Sequence, residues 1–206
     1  MKICGLRAAD AVDAAVEAGA DYLGFIIFAK SPRAVSPQQA GALAARKSGA
    51  KSVAVLVDPS ETLLGEVARH MRPDIIQLHG QESLWRCRDA RAYAEHGVWK
   101  AWGVSTAADP AAAEPYAGEV DAMVFDAKPP AGADRPGGLG LVYDYAILKD
   151  HAGPYLLAGG LTPETVAEAI AASGAKAVDV ASGVESSPGV KDLGKIASFI
   201  TAAKGA

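Results

Sequence analysis

A single-domain (β/α)8 barrel, an α/β fold spanning residues 1–206, is predicted from three observations. Short apolar segments alternate strictly with amphipathic ones in eight units of roughly 25 residues, an order that gives a parallel sheet covered by helices. The strand segments show no polar alternation, as expected of strands buried on both faces. No Gly-x-Gly-x-x-Gly follows the first strand, so an open dinucleotide-binding sheet has no support. With 206 residues the chain is short for a barrel that usually takes roughly 250, so its loops must be tight.

Each element has a local reason. Met1–Cys4 is a short strand, followed by Gly5 and a helix from Ala8 to Ala18 that stops at Gly19. Tyr22–Ile27 is an unbroken apolar strand, Lys30-Ser31-Pro32-Arg33 a loop, and Ser36-Pro37 a helix start. Lys51–Val57 is the third strand, with Asp58-Pro59-Ser60 as turn and cap before a helix to His70. Ile75–Leu78 is the fourth strand and ends in His79-Gly80; a helix through Glu95 and a strand from Val98 to Trp102 follow. Thr106–Tyr116 reads as a weak Ala-rich helix broken by Pro110 and Pro115, and Met123-Val124-Phe125 as a strand ending on Asp126. Past Asp126 the pattern fails for about a dozen residues, through Gly137-Gly138-Leu139-Gly140, and loops of that length in compact domains are functional or disordered. A short helix over Tyr143–Lys149 leads to a strand at Tyr155–Ala158 and the turn Gly159-Gly160. Thr162 is placed as N-cap of the next helix with Pro163 at its first position, and Gly174 as its stop. Ala177–Val180 is the last strand, Ala181-Ser182-Gly183 its turn, and Asp192–Ala203 the closing helix.

Composition bounds the function. Half the residues are apolar and 21% charged, an ordinary globular balance, and the net charge of -4 offers nothing to nucleic acid or an anionic membrane. The longest apolar run, Tyr22 to Ala29, cannot span a bilayer, and no secretory signal is visible. Cys4 and Cys87 share no metal or redox spacing, so two free thiols in a reducing cytoplasm are expected.

In a barrel the chemistry belongs at the carboxyl ends of the strands. Two Gly turns after the seventh and eighth strands, Gly159-Gly160 and Ser182-Gly183, would bare backbone N–H groups where such barrels bind phosphate. The other polar residues at strand ends are Cys4, Arg33, Asp58, Gln77, His79, Asp126 and Asp179. Each has a plain alternative. Cys4 by position is a small core hydrophobe, His79 a satisfied core imidazole, Asp58 a turn cap and Arg33 a solvated loop cation. Asp126 fits the cap role poorly, because a long loop and not a helix follows it. No His or acidic cluster has metal-ligand spacing, so a metal-free reaction is expected.

Lys2-Ile3-Cys4-Gly5, Gly24-Phe25, Lys30-Ser31-Pro32-Arg33, Gln77-Leu78-His79-Gly80, Phe125-Asp126, Leu157-Ala158-Gly159-Gly160-Leu161 and Asp179-Val180-Ala181-Ser182-Gly183-Val184-Glu185, taken together and in this order, resemble the phosphoribosylanthranilate isomerases of tryptophan biosynthesis. The resemblance covers essentially the whole chain. It implies a cytoplasmic isomerase that converts N-(5-phosphoribosyl)anthranilate into 1-(2-carboxyphenylamino)-1-deoxyribulose 5-phosphate without cofactor or metal. It places the general base on Cys4, the general acid on Asp126, the substrate carboxylate on Arg33 and the phosphate on Gly159, Gly160, Ser182 and Gly183. Gln77, His79 and Asp179 would line the rest of the site, and the partners would be a small phosphosugar and, at most, a second copy in a homodimer. The chain departs from the family's GGTGKTFDW at Gly137-Gly138-Leu139-Gly140-Leu141-Val142-Tyr143-Asp144-Tyr145, which lacks the Thr and Lys. Arg7, Phe28-Ala29 and Ala181 also stand where Thr, Tyr-Pro and Ser are common. Two alternatives stay open on the residues alone: a related phosphosugar barrel such as indole-glycerol-phosphate synthase, which needs a central lysine that no strand end supplies, and a barrel that binds phosphosugars without catalysis.

Overall fold

Every expected strand forms. In the computed structural model, which describes residues 1–206, they are β1 (Lys2–Cys4), β2 (Tyr22–Ile26), β3 (Lys51–Leu56), β4 (Ile75–Leu78), β5 (Gly97–Val104), β6 (Ala122–Ala127), β7 (Tyr155–Leu157) and β8 (Asp179–Val180). From β1 to β7 each pairs in parallel with the next in sequence, and β1 pairs with β8 on its other side. A bridge between Leu157 and Val178, with the Leu157 N–H donating to the Ala177 carbonyl at 2.9 Å, joins β7 to the last strand and closes the barrel.

The outer helices are α1 (Ala9–Ala18), α2 (Pro37–Ala44), α3 (Glu61–His70), α4 (Leu84–Ala90), α5 (Ala108–Ala112), α6 (Glu114–Ala117), α7 (Val166–Ser173) and α8 (Leu193–Lys204). Ser36, Ser60, Ser83 and Asp192 cap α2, α3, α4 and α8 through their side chains, each a contribution of about 1 kcal/mol. The expected Ala-rich helix is the split pair α5 and α6, because Pro115 cannot continue a helical hydrogen-bond ladder.

Three expectations are corrected. Strict alternation fails once, since between β6 and β7 there is only a single 3-10 turn, Tyr145–Leu148, and the rest of that connection crosses the mouth of the barrel. Thr162 does not cap α7 with its side chain. Its carbonyl instead accepts from the Thr165 and Val166 N–H groups, a preliminary turn that delays the helix to Val166. The last strand is also shorter than expected and begins at Asp179.

The buried apolar residues fall into two sets, which the strand period of two explains. Ala54, Leu56, Ile76, Leu78, Met123 and Phe125 face outward onto the helices. Cys4, Val53, Val55, Ile75, Trp99, Ala101, Ala122 and Val124 fill the barrel itself. Lys2 has the inward parity too and is fully buried there, with its Nζ 2.9 Å from Asp179 Oδ2. An unpaired charge at that depth would cost several kcal/mol, so the pairing is a condition of the fold.

Candidate active site

The same parity aims the rim residues. Cys4 continues the inward register of Lys2. Gln77 and His79 continue that of Ile75, and Asp126 that of Ala122 and Val124. Asp179 lies between Ala177 and Ala181, both packed against the interior set. Side chains from β1, β4, β6 and β8 therefore converge on the carboxyl end of the barrel, where Cys4, Gln77, His79, Asp126 and Asp179 line one cavity of about 60 Å³ with Arg33. Asp58 is not among them. Its Oδ1 accepts from the Gln81 N–H at 2.7 Å, the turn role that its position suggested.

His79 is a pocket residue and not a core imidazole. Its Nε2 is 3.5 Å from Asp126 Oδ2 and its Nδ1 is 3.3 Å from Gln77 Nε2. Asp126 Oδ1 accepts from the Ala127 N–H at 2.8 Å, which leaves Oδ2 facing the imidazole and the cavity. Cys4 is buried, and burial pushes its thiol up, while the Lys2 and Lys191 ammoniums pull the other way. Gly24, its register partner on β2, has to be small, because a Cβ there would lie 2.8 Å from Cys4 Sγ.

Arg33 is 3% exposed and already engaged. Its Nε and Nη2 donate to the two carboxylate oxygens of Glu185 at 2.7 and 2.8 Å, and its Nη1 to the Gly138 carbonyl at 3.2 Å. A guanidinium has five N–H donors, so two remain on the edge away from Glu185. Glu185 also accepts from Lys191 Nζ at 3.0 Å. Burial alone would raise the Glu185 carboxyl, but Arg33 and Lys191 outweigh it and hold it below the usual carboxylate range.

A second cavity of about 40 Å³ adjoins the first and shares Asp126, Gly137, Gly138, Asp179 and Ala181 with it. Gly159, Gly160 and Ser182 line it. Gly159 and Gly160 both have positive φ, 92° and 62°, a left-handed conformation that favours glycine. Gly183 stands behind, where a Cβ would be 1.9 Å from the Leu161 carbonyl oxygen, so its smallness lets the two turns touch. Ser182–Val184 forms one 3-10 turn at this point.

The long connection after Asp126 closes over both cavities. A Cβ on Gly137 would lie 2.7 Å from Asp126 Oδ2 and 2.8 Å from His79 Nε2, so bare backbone covers that pair. Beyond it Tyr143 donates to the Phe125 carbonyl at 3.2 Å and Tyr145 to the Gly159 carbonyl at 2.6 Å. The strap is thus tied down by two tyrosines and by Arg33, without the absent Thr and Lys. Lys2, Glu185, Lys191 and Arg135, whose buried Nε has no partner beside the first cavity, were not identified as site residues from sequence. For Lys2 the inward parity was an available signal.

No helix is long and apolar enough to cross a membrane. A family model described as N-(5'phosphoribosyl)anthranilate (PRA) isomerase matches residues 1–202. The N-(5'-phosphoribosyl)anthranilate isomerase of Paramagnetospirillum magneticum is 48% identical over 208 aligned positions, which take in 100% of this chain and 97% of that one. That of Rhizobium meliloti is 46% identical over 207 positions, covering 99% and 96%. Among solved structures, phosphoribosyl anthranilate isomerase from Thermotoga maritima superposes with a TM-score of 0.88 at 35% identity, covering 100% of this chain and 98% of that one. A phosphoribosyl anthranilate isomerase in complex with reduced 1-(o-carboxyphenylamino)-1-deoxyribulose 5-phosphate gives 0.85 at 32% identity, again over 100% and 98%.

Proposed function

The chain belongs to the N-(5'-phosphoribosyl)anthranilate isomerase family, the isomerases of tryptophan biosynthesis, and from that premise we propose that its barrel mouth carries out the Amadori rearrangement of N-(5'-phosphoribosyl)anthranilate by general acid–base catalysis on Cys4 and Asp126, with no cofactor or metal. The observation that carries this is the convergence of Cys4 and Asp126, from β1 and β6, on one cavity beside the two Gly turns. The phosphate takes the backbone N–H groups of Gly159–Gly160 and Ser182–Gly183. The substrate carboxylate takes the two free N–H groups of Arg33, whose plane Glu185 holds fixed. Gln77 and Asp179 line the space left for the sugar.

In the first step the Asp126 carboxylic acid gives its proton to the furanose oxygen, and the ring opens to an iminium at C1. The Cys4 thiolate then removes the proton from C2, and the electron pair neutralises the iminium as an enaminol. Protonation at C1 and loss of the C2 hydroxyl proton give the ketone. Those two transfers return Cys4 to thiolate and Asp126 to acid, so atoms and charge balance. His79, beside Asp126 Oδ2, holds the carboxyl in place. Activity needs the Cys4 thiolate, and burial works against it by raising the thiol pKa, so the acid limb of kcat/KM reports Cys4.

The test is turnover of the anthranilate adduct followed by fluorescence. Cys4→Ser and Asp126→Asn should each lower kcat by about 10²–10⁴, the range of general acid–base catalysis, with an unchanged circular-dichroism spectrum. A Cys4→Ser enzyme with near wild-type kcat would show that the thiol only packs.

A further inference from the structure

Lys2 takes no part in the proton transfers above, yet it lies fully buried in the middle of the barrel. Lysine is almost never fully buried unless it is paired. Lys2 and Cys4 are two apart on β1 and so share the inward face. The point where a Cβ on Gly24 would stand lies 2.8 Å from Cys4 Sγ and 3.0 Å from Lys2 Cε, so the two side chains crowd one spot. Lys2 Nζ donates to Asp179 Oδ2 at 2.9 Å, while Asp179 Oδ1 is buried with no partner. As packing the pair is a poor choice, since apolar residues of that volume fill a core at no electrostatic cost.

We propose that Lys2 is a positioning residue for the isomerisation: anchored by Asp179, its ammonium is the fixed counter-charge that stabilises the Cys4 thiolate. The inference rests on Cys4 being the general base. Other charged groups face the thiol too. Asp179 from β8 opposes its ionisation. Lys191, from the hairpin after β8, favours it but already donates to the Ala181 carbonyl at 2.7 Å and to Glu185. Arg33 is turned onto Glu185, and Asp126 and His79 face each other across the cavity. Lys2 is the cation on Cys4's own strand face. Burial works against its charge, but Asp179 and Cys4 outweigh burial and keep it an ammonium.

The test reads the thiolate without substrate. In a Cys87→Ala background, which removes the second thiol, the pH dependence of iodoacetamide alkylation gives the ionisation midpoint of Cys4. Lys2→Met should raise that midpoint by about one to three pH units, the shift expected for losing an adjacent opposite charge. Asp179→Asn should lower it, and Lys2→Arg should leave it near wild type. The acid limb of kcat/KM should follow, so Lys2→Met loses about 10- to 1,000-fold at pH 7, tenfold per unit. An unmoved midpoint in Lys2→Met, or shifts of the same sign in Lys2→Met and Asp179→Asn, overturns the proposal. Should Lys2→Met not fold, Lys2→Met/Asp179→Leu removes both charges. A midpoint higher than that of Asp179→Asn supports the proposal, and an equal one overturns it. Full activity in Cys4→Ser would sink the base assignment instead, and the alkylation midpoints keep the two failures apart.

Discussion

Arg33→Met removes the guanidinium that binds Glu185 through two charged hydrogen bonds of 2.7 and 2.8 Å. Breaking a buried ion pair from one side costs about 3–5 kcal/mol, because the other charge is left uncompensated. Here Lys191 Nζ stays 3.0 Å from Glu185 and covers part of that loss, so about 2–3 kcal/mol is the expected cost. For a domain of this size each kcal/mol lowers Tm by about 2–4 °C, which gives a fall of about 4–12 °C. The pH dependence carries the sign of the interaction. Glu185 is held below its ordinary pKa in the folded state, so its stabilisation is complete above the unfolded value near 4.3 and is lost as pH falls through the lower folded one. The gap between wild type and Arg33→Met should therefore be full at pH 7 and close in acid. Urea unfolding from pH 7 to pH 3 measures it. Arg33→Lys keeps the charge but loses the fork and should remain impaired in both stability and kcat/KM. If Arg33→Met unfolds at the wild-type urea concentration while activity is lost, the pairing with Glu185 contributes nothing and Arg33 serves the substrate alone.

Gly160→Val should raise KM at least about tenfold with little change in kcat, since the new side chain meets the Leu141 carbonyl oxygen at 2.7 Å from a strained backbone, φ 62°, and lifts the strap from the phosphate turn. Steady-state kinetics checks it, and an unchanged KM refutes the phosphate assignment. Gly24→Ala puts a Cβ 2.8 Å from Cys4 Sγ, an overpacking cost of about 1–3 kcal/mol. It should lower kcat by displacing the thiol, and a wild-type kcat would show that the geometry around Cys4 is not critical.

How much was legible follows from the range of each interaction. The apolar alternation predicted eight parallel strands, and the strand ends named Cys4, Gln77, His79, Asp126 and Asp179, because the period of two is a property of the strand itself. Where a local rule competed with a tertiary one, the local rule failed. Thr162 looks like a cap, but the chain leaving β7 makes an extra turn first. The sixth unit looks like strand and helix, but its connection is taken up in closing the barrel mouth, held by Tyr143 and Tyr145.

The amino-acid sequence by itself determines the barrel, its closure into one domain, and the set of polar side chains at the carboxyl ends of its strands, since each depends on patterns a few residues long. Only the tertiary structure decides which of those side chains meet. Lys2 finds Asp179 across 177 residues and Arg33 finds Glu185 across 152. No local pattern encodes these partners. They adjoin because the closed barrel puts β1 beside β8 and folds the segment that follows β8 back over the mouth, toward the loop that carries Arg33. There, in a dry interior, a charge must find its opposite or leave the core, so closure of the barrel sets the electrostatics of the site.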